Sequence, residues 1–165
     1  ELELPYDFYC GDNFEYRFMR HMFVKKSTSM TIDGEPAIKN NKTLGRIPSL
    51  INIGNVPFYN YPSTWNHLQS DYGISFRITP ISCTETEVLT TWIVPENAIE
   101  NIDYDLKELT EVWIATNEQD QMLVEKVQKG VSSTAYIPGP FNEKHEMGVI
   151  EFNEWYKKIM LKNLK

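Results

Sequence analysis

Two kinds of pattern meet near Pro95. Before it, apolar and polar positions alternate in short runs separated by turn residues; after it, apolar residues return at helical spacing. The clearest alternation lies in residues 73–81, where Ile74, Phe76 and Ile78 point one way and Ser75, Arg77 and Thr79 the other. Residues 87–94 carry a second strand pattern, and Ser82-Cys83-Thr84-Glu85-Thr86 joins the pair as a hairpin. Further strands are expected over 17–25, 27–32, 49–53 and 56–61, with Asp33-Gly34 as a tight turn and 39–42 as a polar loop. A long helix starts near Asp103 or Asp105, either of which can cap it, and runs to about 129, where Gly130 can end it. A second helix is expected over 143–164, with Val149, Phe152, Trp155, Tyr156 and Ile159 on its apolar side, after the rigid loop Ile137-Pro138-Gly139-Pro140-Phe141. The class is α+β in a single domain spanning 1–165, strands at about 14–94 and helices at about 103–129 and 143–164.

One helical position breaks its own pattern. Leu106, Leu109, Trp113, Val124 and Val127 fall within roughly 40° of one direction, which marks the core-facing stripe, and Asp120 lies at its centre. Thr116 and Asn117 fill the turn between Trp113 and Asp120 on nearly the same face. A carboxylate in a core must be paired, hydrogen-bonded, protonated or metal-bound. Four readings fit: a structural Asp, a general acid or base, a helix more exposed than its pattern implies, and a metal ligand.

Composition narrows the partners. At 165 residues the chain can form a sizeable core, and its net charge of −7 with only Lys25-Lys26 as a basic pair argues against nucleic acid. There is no apolar run long enough to span a membrane and no signal-peptide pattern at Glu1, so the cytoplasm is the expected compartment. Cys10 and Cys83 are too few for a disulfide framework, a zinc site or a self-contained iron–sulfur cluster, and read as reduced thiols. His21, His67 and His145 stand singly, with no metal-binding spacing. A Gly-rich phosphate loop and a nucleophile elbow are absent from the sequence as well.

Thr116-Asn117-Glu118-Gln119-Asp120-Gln121, followed by Glu125-Lys126-Val127-Gln128-Lys129-Gly130-Val131, resembles the C-terminal region of Rieske oxygenase α-subunits. Thr91-Trp92-Ile93-Val94 and Asp103-Tyr104-Asp105-Leu106 extend the likeness upstream; Ser133, Tyr136, Pro138-Gly139-Pro140, Glu146, Phe152 and Trp155-Tyr156 extend it downstream. With Tyr61-Pro62-Ser63-Thr64-Trp65-Asn66-His67, the likeness is greatest to the branch that demethylates glycine betaine and related quaternary ammonium compounds. The resemblance implies a helix-grip (Bet v 1-like, SRPBCC) domain, an antiparallel sheet wrapped around a long helix. It further implies a mononuclear Fe(II) held by two His and one carboxylate, the carboxylate being Asp120. The Rieske Cys-x-His and Cys-x-x-His signature and the segment with the two His ligands do not occur here. The resemblance therefore implies a C-terminal portion of a catalytic domain, completed by an upstream portion that bears the [2Fe–2S] cluster, and inactive alone.

The implied chemistry is hydroxylation of a small substrate with O2 and electrons from NAD(P)H, delivered by a flavin/iron–sulfur reductase. For a quaternary ammonium the target is an N-methyl group, whose hydroxylated product collapses to formaldehyde and the demethylated amine. A permanent cation is recognised by aromatic faces, and Trp65, Tyr59 and Trp113, with Asn117 nearby on the helix, are the candidate pocket residues. A homo-oligomer, as a trimer, is the assembly expected. The competing readings are a helix-grip ligand-binding module, a non-catalytic oxygenase subunit, and an enzyme acting on an aromatic ring.

Overall fold

In a computed structural model, the structure describes residues 8–10, 16–19, 27–50 and 53–164. The contacts divide the chain into two compact units, Glu1–Thr110 and Glu111–Lys165. The class is α+β, as expected.

The first unit is built on a six-stranded meander: β1 (Phe8–Cys10), β2 (Tyr16–Met19), β3 (Val56–Asn60), β4 (Thr64–Leu68), β5 (Gly73–Pro80) and β6 (Thr86–Ile93), each antiparallel to the next. The β5–β6 hairpin lies where it was predicted, and its register sets Ile74 opposite Trp92 and Phe76 opposite Thr90. Its alternation holds in the first half, where Ile74 and Phe76 are buried and Arg77 is exposed, and fails at Ile78, which is 38% exposed. β4 was not predicted, because Asn66 and His67 interrupt its apolar pattern; both turn out to be buried.

Two expected strands are corrected. Residues 27–32 form no strand, because their side chains bond locally and to the turn after β4. Ser29 donates to Asp71, and Thr31 donates to the Glu35 carbonyl at 2.6 Å and to Asp33. Such bonds compete with a sheet ladder. The Asp33-Gly34 turn itself is present: Asp33 accepts from the Glu35 amide, and Gly34 adopts φ 79° with its carbonyl accepting from Thr28 at 2.7 Å. A Cβ there meets the Ser27 hydroxyl at 2.6 Å, so glycine answers both the conformation and the space. No strand occupies residues 49, 50 and 53 of the predicted 49–53 run, and residues 51–52 lie outside the described residues. Of the predicted 17–25 strand, residues 17–19 belong to β2 and 20–26 lie outside the described residues.

The segment 27–50 packs on the turn between β4 and β5. Ile38 and Tyr72 are fully buried there, and the Tyr72 hydroxyl donates to the Met30 carbonyl at 2.6 Å. The Leu44 amide donates to the Ser70 carbonyl, and the Lys39 amide to that of Asp103.

Helix α1 (Leu106–Val131) begins one residue after Asp105 and three after Asp103, the two predicted caps. Asp105 is the capping residue: its carboxylate accepts the Glu108 amide at 3.0 Å and its carbonyl accepts that of Leu109. In the second unit, α2 (Met147–Asn163) starts four residues after the predicted point. There Asn142 accepts the Lys144 and His145 amides, holding a turn ahead of the helix. Phe152 stacks on Tyr156 at 6.2 Å and tilts against Trp155 at 5.9 Å, so the predicted apolar side is real, though half-buried at most.

Candidate functional site

Sheet register gathers aromatic side chains onto one face. Trp65 on β4 lies opposite Tyr59 on β3 and Phe76 on β5, while His67, two residues along β4, lies opposite Pro57 and Ile74. Strand side chains two apart share a face, so Tyr59, Trp65, His67 and Phe76 form one patch. The Tyr59 and Trp65 rings are 5.0 Å apart and tilted by 46°. His67 stacks on Trp65 at 5.5 Å and 27°, and meets the edge of Phe76 at 6.2 Å. Trp65 keeps 40% of its surface exposed and His67 only 9%. Two of the predicted pocket residues, Tyr59 and Trp65, thus come together.

Behind the patch lies a chain of buried amides. Gln69 donates to the Asn55 carbonyl oxygen at 3.2 Å, and His67 Nδ1 lies 2.8 Å from the Asn55 amide nitrogen and 3.2 Å from its oxygen. Sequence reading named none of these residues for the pocket. The signal was the alternation Trp65, His67, Gln69, visible only once β4 is recognised as a strand.

The helical candidates fare differently. Trp113, Asn117 and Asp120 follow one another at i+4 and i+3 along α1 and share a face. Trp113 is buried, Asn117 half-buried and Asp120 exposed. The predicted core stripe is covered only at Leu109 and Trp113; Leu106, Val124 and Val127 are 52%, 60% and 54% exposed. Periodicity defines which side chains share a face, not what covers it, and nothing described covers this one beyond Trp113. Burial thus lends Asp120 no support as a ligand; the support that stands is the Gln119-Asp120 motif.

Two other carboxylates are buried. Asp71 accepts from the Ser29 hydroxyl at 2.8 and 3.0 Å and from the Ala37 amide at 2.8 Å, and burial pushes its carboxyl above the ordinary value of 3.8 against the pull of those bonds. Asp103 accepts from Asn40 at 2.8 Å, from Lys42 at 2.5 Å and from the Ile99 amide at 2.8 Å. Those donors, Asn40 and Lys42 foremost, lower its pKa to about 2. Neither group reads as a reactive site: each has its lone pairs occupied by structure. Among the described residues, no three His, Cys, Asp or Glu side chains come together to hold a metal ion. The described residues do not by themselves fit an iron centre. Cys83 is a free, exposed thiol, and no described helix is long and apolar enough to cross a membrane.

A folded sheet presenting an aromatic face and a long helix bearing the Gln-Asp motif agrees with the catalytic domain of an oxygenase. The chain belongs to the family described as ring hydroxylating alpha subunit (catalytic domain), an enzyme family, which residues 10–162 match. It is similar to the glycine betaine monooxygenase oxygenase subunits of two strains of Pseudomonas aeruginosa, 43% identical over 148 residues, covering 90% of this chain and 34% of each relative. The corresponding subunit of Chromohalobacter salexigens is 38% identical over 148 residues, covering 90% of this chain and 33% of that protein. The chain thus spans about a third of the length of the curated relatives it matches.

Proposed function

We propose that this chain is the C-terminal portion of the catalytic domain of a Rieske-type mononuclear iron oxygenase whose substrate is a small quaternary ammonium compound. The family match across both compact units supports reading residues 1–165 as parts of one domain, of the helix-grip kind. The observation that carries the substrate class is the tilted Tyr59–Trp65 pair on the sheet face, in a chain of net charge −7. The two tilted rings offer an electron-rich aromatic surface. A trimethylammonium group is attracted by the ring quadrupoles and asks for no hydrogen bond. Exposure of Trp65 leaves that surface reachable. Trp113 and Asn117, which share a face of α1 with Asp120, are the candidate substrate-contacting residues of that helix.

Asp120 contributes one carboxylate to the iron, and the remaining ligands come from outside the described residues. The metal supplies oxygen activation when bound; this chain's part is to offer a ligand, hold the cation and exclude water around it. The [2Fe–2S] cluster belongs to an upstream portion, electrons arrive from NAD(P)H through a reductase, and the subunits assemble as a trimer in the cytoplasm. The test is iron content of the full-length protein. Asp120→Ala loses iron and demethylation of glycine betaine, while Asp105→Ala, which removes only a helix cap, keeps both. Equal iron in the two variants sinks the ligand assignment, and unchanged KM for glycine betaine in Trp65→Ala sinks the cage.

A further inference from the structure

Trp92 stands on the same face of the sheet as the cage, one rung further along. Trp65 lies opposite Phe76, and the next rung of that face runs from His67 on β4 to Ile74 on β5 and Trp92 on β6. Trp92 is thus two strands across and two residues along from Trp65, a backbone separation of roughly 12 Å. Its side chain is half-buried, yet its ring nitrogen is shut off from solvent and meets no acceptor among the described residues. An indole carries one polar atom, and that atom can only donate. A buried donor without an acceptor is costly, and native folds hold few of them. The buried Tyr72 hydroxyl, by contrast, is answered within the protein by the Met30 carbonyl.

The cage answers only one end of a ligand. Aromatic faces in a chain of net charge −7 favour a cation and disfavour an anionic group, so a zwitterion bound there needs a donor for its negative end. The Trp92 N–H is such a donor, and being neutral it does not compete with the ligand's ammonium for the rings. Because the indole is only half-buried, a side-chain adjustment on binding is enough to present its nitrogen to a ligand lying along the sheet. A cation sits within about 6 Å of a ring centre, and an N–H···O bond spans about 2.9 Å. Within a separation of roughly 12 Å, that leaves room for one or two carbons between ammonium and carboxylate.

We propose that Trp92 is a specificity-determining residue whose indole N–H donates to a carboxylate carried one or two carbons from the quaternary ammonium held by Tyr59 and Trp65. The inference rests on the cage reading above. It selects short zwitterions over simple tetraalkylammonium ions, because only a ligand with an acceptor at that distance relieves the unpaired donor.

The experiment is calorimetric titration of the full-length protein, without oxygen or reductant, with three ligands: glycine betaine, tetramethylammonium, and a betaine whose carboxylate is carried on a long alkyl spacer. The wild type binds glycine betaine at least about tenfold more tightly than either of the others. Trp92→Phe keeps an aromatic ring and removes the N–H; it weakens glycine betaine by about tenfold and changes tetramethylammonium by less than about twofold. An equal loss for both ligands assigns Trp92 a structural role, and an unchanged affinity for glycine betaine means that the nitrogen meets water only; either result overturns the proposal. If Trp92→Phe does not fold, the wild type decides alone, and equal affinities for the three ligands overturn it. Trp65→Ala separates the two readings: loss of tetramethylammonium binding upholds the cage whatever Trp92 does, and unchanged binding removes the cage and this inference with it.

Discussion

Asp71 and Asp103 are both sealed from solvent in the first unit, yet their surroundings push them in opposite directions. Asp103 has a cation, Lys42, whose ammonium also donates to the Asn97 carbonyl, and its carboxyl is held down at about 2. Asp71 has a hydroxyl and an amide but no cation among the described residues, and its carboxyl is pushed up. Neutral donors answer the geometry of a carboxylate; they do not offset the loss of hydration around its charge. The two also tie different things together. Asp71 fixes the 27–50 segment to the β4–β5 turn, and Asp103 fixes residues 40 and 42 to the approach of α1.

The comparison breaks most readily at Lys42. Lys42→Met leaves the Asp103 charge buried with only neutral donors, as Asp71 is, and costs about 3 kcal/mol of unfolding free energy in urea melts at neutral pH. A loss under about 1 kcal/mol would mean that Asn40 and the Ile99 amide suffice. Next in size is Asp71→Ala, which strands the Ser29 hydroxyl and Ala37 amide and costs about 2 kcal/mol. Asp71→Asn keeps an acceptor for Ala37 and a donor for Ser29 without the charge, and is expected to be no less stable than the wild type at pH 7.

Acid sharpens the contrast. A carboxyl lowered by folding stabilises above its unfolded value and loses that contribution as pH falls through the folded value, so Asp103 gives up its share between about pH 4 and pH 2. A carboxyl raised by folding does the reverse: folding favours its protonated form, and stability is lost as pH rises through the folded value. The margin of Asp71→Asn over wild type is therefore greatest at neutral pH and vanishes below about pH 4. Melting curves of the two proteins that stay parallel from pH 7 to pH 3 would contradict the assignment. The smallest effect is expected at Asp120→Ala. Its exposed side chain is described with no structural hydrogen bond, so stability changes by less than about 0.5 kcal/mol even where iron and activity are lost.

The pattern along the chain determined a good deal. Alternation in Ile74, Phe76 and Ile78 defined the best hairpin, since a side-chain period of two is a property of the extended backbone itself. The long helix was legible for the same reason, as were Asp105 as its cap and Asp33-Gly34 as a turn: each rests on interactions within four residues. The motif around Asp120 named the family without any coordinates, and the match over residues 10–162 agrees. Periodicity could not say which face is covered. Asp120, at the centre of an apolar stripe, is exposed, whereas Asp71 and Asp103, with no apolar pattern to mark them, are buried. Their partners lie 42 residues away at Ser29 and 61 residues away at Lys42, and a contact over such a distance has no local signature. The row from Tyr59 through Trp65 to His67 and Phe76 was likewise decided by strand register, because only pairing across three strands brings those rings onto one surface.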